Sequence, residues 1–116
     1  MVADDLPISD NTFKIVREGM RLVATNGAPA SVFSKLDVDV ACKTGTSQVI
    51  KNGQKVNNGF LITFAPYDTP EIAIASAIEL AGSGTSTAEI TSSIIDYYYS
   101  NNTDEVPAQK TGTLLD

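Results

Sequence analysis

Leu36-Asp37-Val38-Asp39-Val40-Ala41-Cys42-Lys43-Thr44-Gly45-Thr46-Ser47-Gln48 is the stretch that decides the fold. Its first half alternates: Leu36, Val38 and Val40 are apolar, Asp37 and Asp39 polar. A period of two predicts a strand, running over about 36–50. The strand then becomes a cation (Lys43), hydroxyls (Thr44, Thr46, Ser47) and Gly45. Such a surface suits a ligand that carries a carboxylate and lies along the strand. Lys43 supplies charge, the hydroxyls donate hydrogen bonds, and Gly45 permits close approach. Free backbone groups can pair with the ligand as an added strand. The plain alternative is a solvated edge strand near a turn. A phosphate loop ending in Lys43-Thr44 is a poorer fit, because Leu36-Asp37 and Cys42 occupy its glycine positions.

Downstream, Asn52-Gly53 between Ile50-Lys51 and Gln54-Lys55-Val56 is the strongest hairpin signal in the chain. It turns the first strand back into a second over 59–65. Pro66-Tyr67-Asp68-Thr69-Pro70 predicts another turn, and a third strand follows over 71–80. In it Ile72, Ile74, Ile78 and Leu80 point one way and Ala73, Ala75 and Ala77 the other. Both faces are apolar, so both need a cover, and the alanine face would let a helix pack closely. As a sheet edge this strand would be an aggregation hazard, which implies a neighbouring strand.

Upstream, Ser9 or Asp10 caps a helix running to about Thr25. Phe13, Val16, Met20, Val23 and Ala24 form its expected inner face, with Arg17, Glu18 and Arg21 outward. Asn26-Gly27 supplies a left-handed stop, and 30–35 is at most one helical turn. At the far end, Gly82-Ser83-Gly84 breaks the third strand. Ser86 and Glu89 form a capping box for a last helix reaching about Ser100, with Ile90, Ile94, Ile95 and Tyr98 as its stripe. Residues 1–8 are acidic and expected to fray. Residues 101–116 lack periodicity and are expected to be a disordered tail. The tail repeats Lys110-Thr111-Gly112-Thr113, but no strand carries that copy.

The bulk numbers exclude several classes. At 116 residues the chain is at most one domain. Fourteen acidic against eight basic residues give a net charge of −6, so nucleic acid and anionic membrane surfaces are not expected partners. There is no His, and the single Cys excludes an internal disulfide or a multi-Cys metal site. No metal or cofactor is expected. No run approaches a membrane span, and the first seven residues are too short and acidic for a signal peptide. Cys42 beside Lys43 reads either as a reactive thiol or as a small buried hydrophobe. Tyr97-Tyr98-Tyr99 reads as one packed ring with two on the surface, or as a sugar-stacking platform. The turn 83–87 reads as a capped loop or an anion site.

Lys43-Thr44-Gly45-Thr46 resembles the Lys-Thr-Gly box of penicillin-binding proteins and serine β-lactamases. Four flanking stretches strengthen the resemblance: Ile15-Val16-Arg17-Glu18-Gly19-Met20-Arg21-Leu22-Val23, Asn58-Gly59-Phe60-Leu61-Ile62-Thr63-Phe64-Ala65-Pro66, Pro70-Glu71-Ile72-Ala73-Ile74-Ala75 and Gly82-Ser83-Gly84-Thr85-Ser86. Their order and spacing are similar to the C-terminal part of the transpeptidase domain of a class B penicillin-binding protein, over about 8–100. The helix and the 60–66 context disfavour a β-lactamase or carboxypeptidase parent. Cys42 departs from the family, which usually has Gly there. The resemblance implies an α+β fold. Its antiparallel sheet would be three strands of a larger five-stranded one, flanked by helices and incomplete within this chain, with 1–100 as the C-terminal portion of the domain.

The resemblance also implies a chemistry. The parent would be a peptidoglycan D,D-transpeptidase working through an acyl-serine and binding β-lactams, anchored at the extracytoplasmic face of the bacterial membrane. Its partners would be the stem peptide and the missing N-terminal half of the domain. Lys43 would set the local positive potential, and Thr44, Gly45, Thr46 and Ser47 would bind substrate. The Thr46 N–H would be one oxyanion donor. The family's Ser-x-x-Lys and Ser-x-Asn boxes precede this region. Neither Ser31 nor Ser34 is followed three residues later by Lys, and Ser100-Asn101-Asn102 comes in the wrong order. The chain alone is therefore expected to be inactive. The alternative is a non-catalytic module holding a peptide or partner on its strand edge. Strict alternation sets Lys43 and Gly45 opposite Thr44 and Thr46, a difficulty for any single pocket.

Overall fold

The computed structural model describes residues 6–82 and 84–102. The expectations for residues 1–5, for Ser83 and for the tail beyond 102, including Lys110–Thr113, lie outside them. Six elements follow in order: α1 (Asp10–Asn26), α2 (Ala30–Phe33), β1 (Ala41–Lys51), β2 (Gln54–Ala65), β3 (Ile72–Ile78) and α3 (Gly84–Asn102). The strands form one antiparallel sheet in the order β1-β2-β3. The fold is thus α+β with a three-stranded antiparallel sheet and flanking helices, as expected.

The hairpin is where local chemistry wins outright. Lys51 pairs with Gln54 across a two-residue loop. Asn52 and Gly53 both take positive φ, 52° and 77°. That is the pair of conformations a type I′ turn requires, and Asn-Gly is the dipeptide that adopts them at least cost. Pairing resumes at once, so β2 starts at Gln54 rather than near Gly59.

The start of β1 differs from expectation. The alternation over 36–40 predicts strand, and burial does alternate there, with Leu36, Val38 and Val40 sheltered and Asp37 and Asp39 exposed. Yet the ladder begins only at Ala41, opposite Phe64. The partner runs out: β2 ends at Ala65, and Pro66 has no N–H to donate. A single backbone bond, from the Tyr67 N–H to the Asp39 carbonyl at 2.9 Å, continues the pairing.

The two sheet faces are unequal. On one, Cys42, Leu61 and Ala65 are buried, and Ile72 and Ile74 pack against the same core as Ala88 and Ile95 of α3. The Ser76 and Thr91 hydroxyls lie 2.8 Å apart across this layer, which fixes it as the α3 side. The opposite face carries Lys43, Gly45, Phe60, Ile62, Ala73, Ala75 and Ala77. Phe60 and Ile62 remain 41% and 53% exposed there. So the alanine face is the open one, and α3 packs on the isoleucine face instead. Small residues of the helix itself, Thr87, Ala88 and Thr91, all fully buried, allow the close approach.

Both long helices depart from their expected stripes. The inward row of α3 is Thr87, Ala88, Thr91 and Ile95, with Tyr99 packed on the core, while Ile90 and Ile94 are exposed. The helix also starts at Gly84, so Ser86 sits inside its first turn with its hydroxyl donated to the Ala81 carbonyl at 3.3 Å. Tyr97 is exposed and Tyr98 meets Tyr99 edge-on at 5.1 Å. In α1 the Ser9 cap is as expected, its hydroxyl accepting from the Thr12 N–H at 3.2 Å. Phe13 and Val16, however, are exposed. Met20, Val23 and Ala24 are sheltered as expected, and Arg17 and Arg21 join them in place of Phe13 and Val16. The arginines face inward because planar guanidinium groups can stack on aromatic rings.

The stop of α1 is also different. Gly27 is extended (φ −84°, ψ −171°), not left-handed, and its N–H bonds the Val23 carbonyl at 2.9 Å. A Cβ there would lie 2.5 Å from that oxygen. Glycine is required by contact, not by the sign of φ. Third-strand pairing likewise ends early. β3 stops at Ile78, and Leu80 takes a positive φ of 57° with its N–H on the Asn58 side-chain oxygen at 3.2 Å.

Candidate active-site strand

β1 is an edge strand, so every second backbone group along it points away from β2. The Lys-Thr-Gly-Thr run lies in its first half, opposite Ile62, Leu61, Phe60 and Gly59 in turn. Lys43 and Thr46 are exposed, and Thr44, Gly45 and Ser47 are half-buried. The Lys43 ammonium donates to the Thr44 carbonyl at 2.7 Å, which holds it over the strand. The antiparallel register puts Lys43, Gly45 and Ser47 on the open face, beside the exposed Phe60 and Ile62. Thr44 and Thr46 lie on the α3 face. The alternation thus divides the five residues between two faces. They share only the strand edge.

Gly45 is informative for what it does not do. Its φ is not in the positive range. An added Cβ would meet only the Phe60 Cβ, at 3.4 Å, an ordinary contact. The sheet itself therefore does not demand glycine at this position. Cys42 precedes the run and is fully buried. Burial pushes its thiol up to about 11, with the neighbouring Lys43 charge only partly offsetting the shift. A thiol held neutral and out of solvent is a packing residue, so of the two sequence readings the small hydrophobe stands.

Four residues that sequence reasoning placed elsewhere, or not at all, meet at the base of this hairpin. Arg21 donates to the Asp39 carboxylate at 2.8 Å, and its guanidinium sits 4.7 Å from the centre of the Tyr67 ring. Arg17 donates to the Tyr67 carbonyl and stacks 5.5 Å from the Phe64 ring and 5.4 Å from the Tyr67 ring. Phe64 and Tyr67 are themselves stacked at 6.4 Å. The signal was the i, i+4 spacing of the two arginines in the helix row that also holds Met20 and Ala24.

Ser9-Asp10-Asn11 also spells the Ser-x-Asn order. Its serine hydroxyl is engaged as the α1 cap and lies 2.9 Å from the Thr12 hydroxyl. Among the described residues no group of three His, Cys, Asp or Glu is placed to hold a metal ion. No helix among them is long and apolar enough to cross a membrane.

Residues 1–96 match the family model described as the penicillin binding protein transpeptidase domain. Peptidoglycan D,D-transpeptidase MrdA of Escherichia coli strain K12 is 30% identical over 118 residues, covering 88% of this chain and 18% of that protein. Penicillin-binding protein 2A of Bacillus subtilis is 32% identical over 84 residues, covering 66% of this chain and 12% of that protein. Among solved structures, the complex of a Helicobacter pylori penicillin-binding protein, PBP2, with MreC has a TM-score of 0.73 at 22% identity. That match covers 84% of this chain and 19% of that one. Pseudomonas aeruginosa PBP2 in complex with WCK 5153 has a TM-score of 0.67 at 26% identity, covering 84% and 21%. The chain thus spans less than a fifth of the length of these two curated relatives.

Proposed function

The chain belongs to the transpeptidase-domain family of penicillin-binding proteins, and on that premise we propose that it supplies the Lys-Thr-Gly-Thr strand of a peptidoglycan D,D-transpeptidase. In this reading a serine from the preceding part of the domain attacks the D-Ala-D-Ala carbonyl of a stem peptide. The amide C–N bond breaks and the terminal D-Ala leaves with a proton. The amine of a second stem peptide then displaces the serine and forms the cross-link. β-Lactams acylate the same serine.

Lys43 provides the positive potential in which the serine and its base work. Thr44, Thr46 and Ser47 hold the substrate carboxylate, and the Thr46 N–H is one of two oxyanion donors. Gly45 leaves room for the substrate backbone. Residues 1–100 are the C-terminal portion of the domain, and two further strands from the preceding half extend the sheet to five. The whole protein works at the extracytoplasmic face of the cell membrane.

The observation that carries this reading is that Lys43–Thr46 lies on the open edge of the sheet, with a glycine the sheet does not need. In the full-length protein Lys43→Ala is expected to slow fluorescent-penicillin labelling by about 100-fold or more, the scale of losing one electrostatic stabiliser. Labelling retained at the wild-type rate would refute the role given to Lys43. It would favour the other class of function, a non-catalytic module that uses the strand edge to hold a peptide or partner.

A further inference from the structure

The β1–β2 hairpin is long, and its far end, from Gln48 to Lys55, is exposed. β3 pairs with β2 only over Gly59–Ala65, so the outer part of the hairpin is a lever that magnifies any tilt of its base against the helices. Beside the apolar packing of Val23 and Ala24 on the core that holds Val40 and Cys42, a cluster of directional contacts ties its base to α1. Arg21 reaches both Asp39, just before β1, and the ring of Tyr67, just after β2. Arg17 reaches the Tyr67 carbonyl and the Phe64 ring. The Tyr67 N–H closes the cluster on the Asp39 carbonyl at 2.9 Å. Both strand ends and the helix are therefore locked at one point, four residues ahead of Lys43.

The chemistry of the lock favours placement over bulk stability. The Arg21 and Asp39 side chains remain 42% and 59% exposed, so their charge pair adds little to folding. A guanidinium stacks in one plane while donating along fixed directions, which sets angle and height.

We propose that Arg17, Arg21, Asp39 and Tyr67 form a positioning clamp that sets where Lys43–Thr46 stands relative to the rest of the active site. The inference rests on the transpeptidase reading of that strand. Transfer chemistry is sensitive to such placement, because a displacement of about 1 Å can cost about 100-fold in rate.

The test is the rate of acylation by fluorescent penicillin at saturating concentration, in the full-length protein, for Arg21→Ala, Asp39→Ala, Tyr67→Leu, Tyr67→Phe and Lys43→Ala. Arg21→Ala and Tyr67→Leu are expected to slow acylation about tenfold while half-saturation moves less. Tyr67→Phe keeps the ring and both backbone bonds, and is expected to stay within about twofold of wild type. The Arg21→Ala/Asp39→Ala double variant should be no slower than Arg21→Ala alone. Equal rates for Tyr67→Leu and Tyr67→Phe would overturn the clamp, and this pair decides even if Arg21→Ala fails to fold. Loss of labelling in Lys43→Ala with normal clamp variants would sink the clamp alone. Undiminished labelling in Lys43→Ala would sink both readings.

Discussion

The two faces of the sheet are built from similar residues but are treated differently. Beneath α3, Leu61, Ala65 and Cys42 are excluded from water. On the other side Phe60 and Ile62, the neighbours of Leu61 in the same strand, stand open beside three alanines of β3. The first face is a finished core. The second is apolar and open around Phe60 and Ile62, with Arg17 of α1 stacked on its Phe64 end, and it is the face that presents Lys43 and Gly45. The core of the sheet therefore lies mainly beneath α3, while the residues proposed to bind substrate are divided, with Lys43 and Gly45 on the open face and Thr44 and Thr46 on the α3 side.

Truncating neighbouring side chains in β2 separates the two faces. Leu61→Ala removes a fully buried side chain and is expected to cost about 3–4 kcal/mol. Ile62→Ala, half-exposed on the open face, should cost less than about 1 kcal/mol. Urea denaturation midpoints of the two variants would check this, and equal losses would mean that the open face is covered in solution.

A second test uses Cys42. Burial raises its folded pKa to about 11 from an ordinary 9.0. A raised folded value means its contribution is fully present below pH 9 and is lost as pH climbs from 9 towards 11. That window corresponds to about 2–3 kcal/mol at most. The wild-type chain should therefore lose more stability across that window than Cys42→Ala does. Parallel pH profiles would place the thiol in contact with water.

A change of opposite sign is expected in the polar layer under α3. Thr87 is fully buried and its hydroxyl has no partner within the described structure. Thr87→Val keeps the shape and removes an unsatisfied group, so it should stabilise by about 1 kcal/mol, read as a higher melting temperature. A lower melting temperature would mean that the hydroxyl is hydrogen-bonded after all.

The same contrast explains what the sequence could reveal. Asn52-Gly53 was legible because its conformational demand is local and no tertiary contact competes with it. The sheet, its order and the helix cap at Ser9 were legible for the same reason. The faces of β3 were not, because Ile72-Ala73-Ile74-Ala75 is apolar on both sides and only the placement of α3 chooses between them. The lead-in over 36–40 kept its burial pattern but lost its strand, since pairing depends on Pro66 in a distant turn. In α1 the charge on Arg17 and Arg21 suggested solvent, whereas their stems and planar heads serve as packing. The box Lys43–Thr46 was legible as a motif, and its position on an edge strand fits the chemistry proposed for it. How its two faces are joined into one site depends on groups that lie outside this stretch.

Whether Lys43–Thr46 completes a serine acylation site shared with the preceding half of the domain is decided by fluorescent-penicillin labelling. The chain would be assayed alone and mixed with that half. Labelling is expected only in the mixture, on the serine of the preceding half. Labelling of this chain alone, or none in a mixture shown to associate, would contradict it.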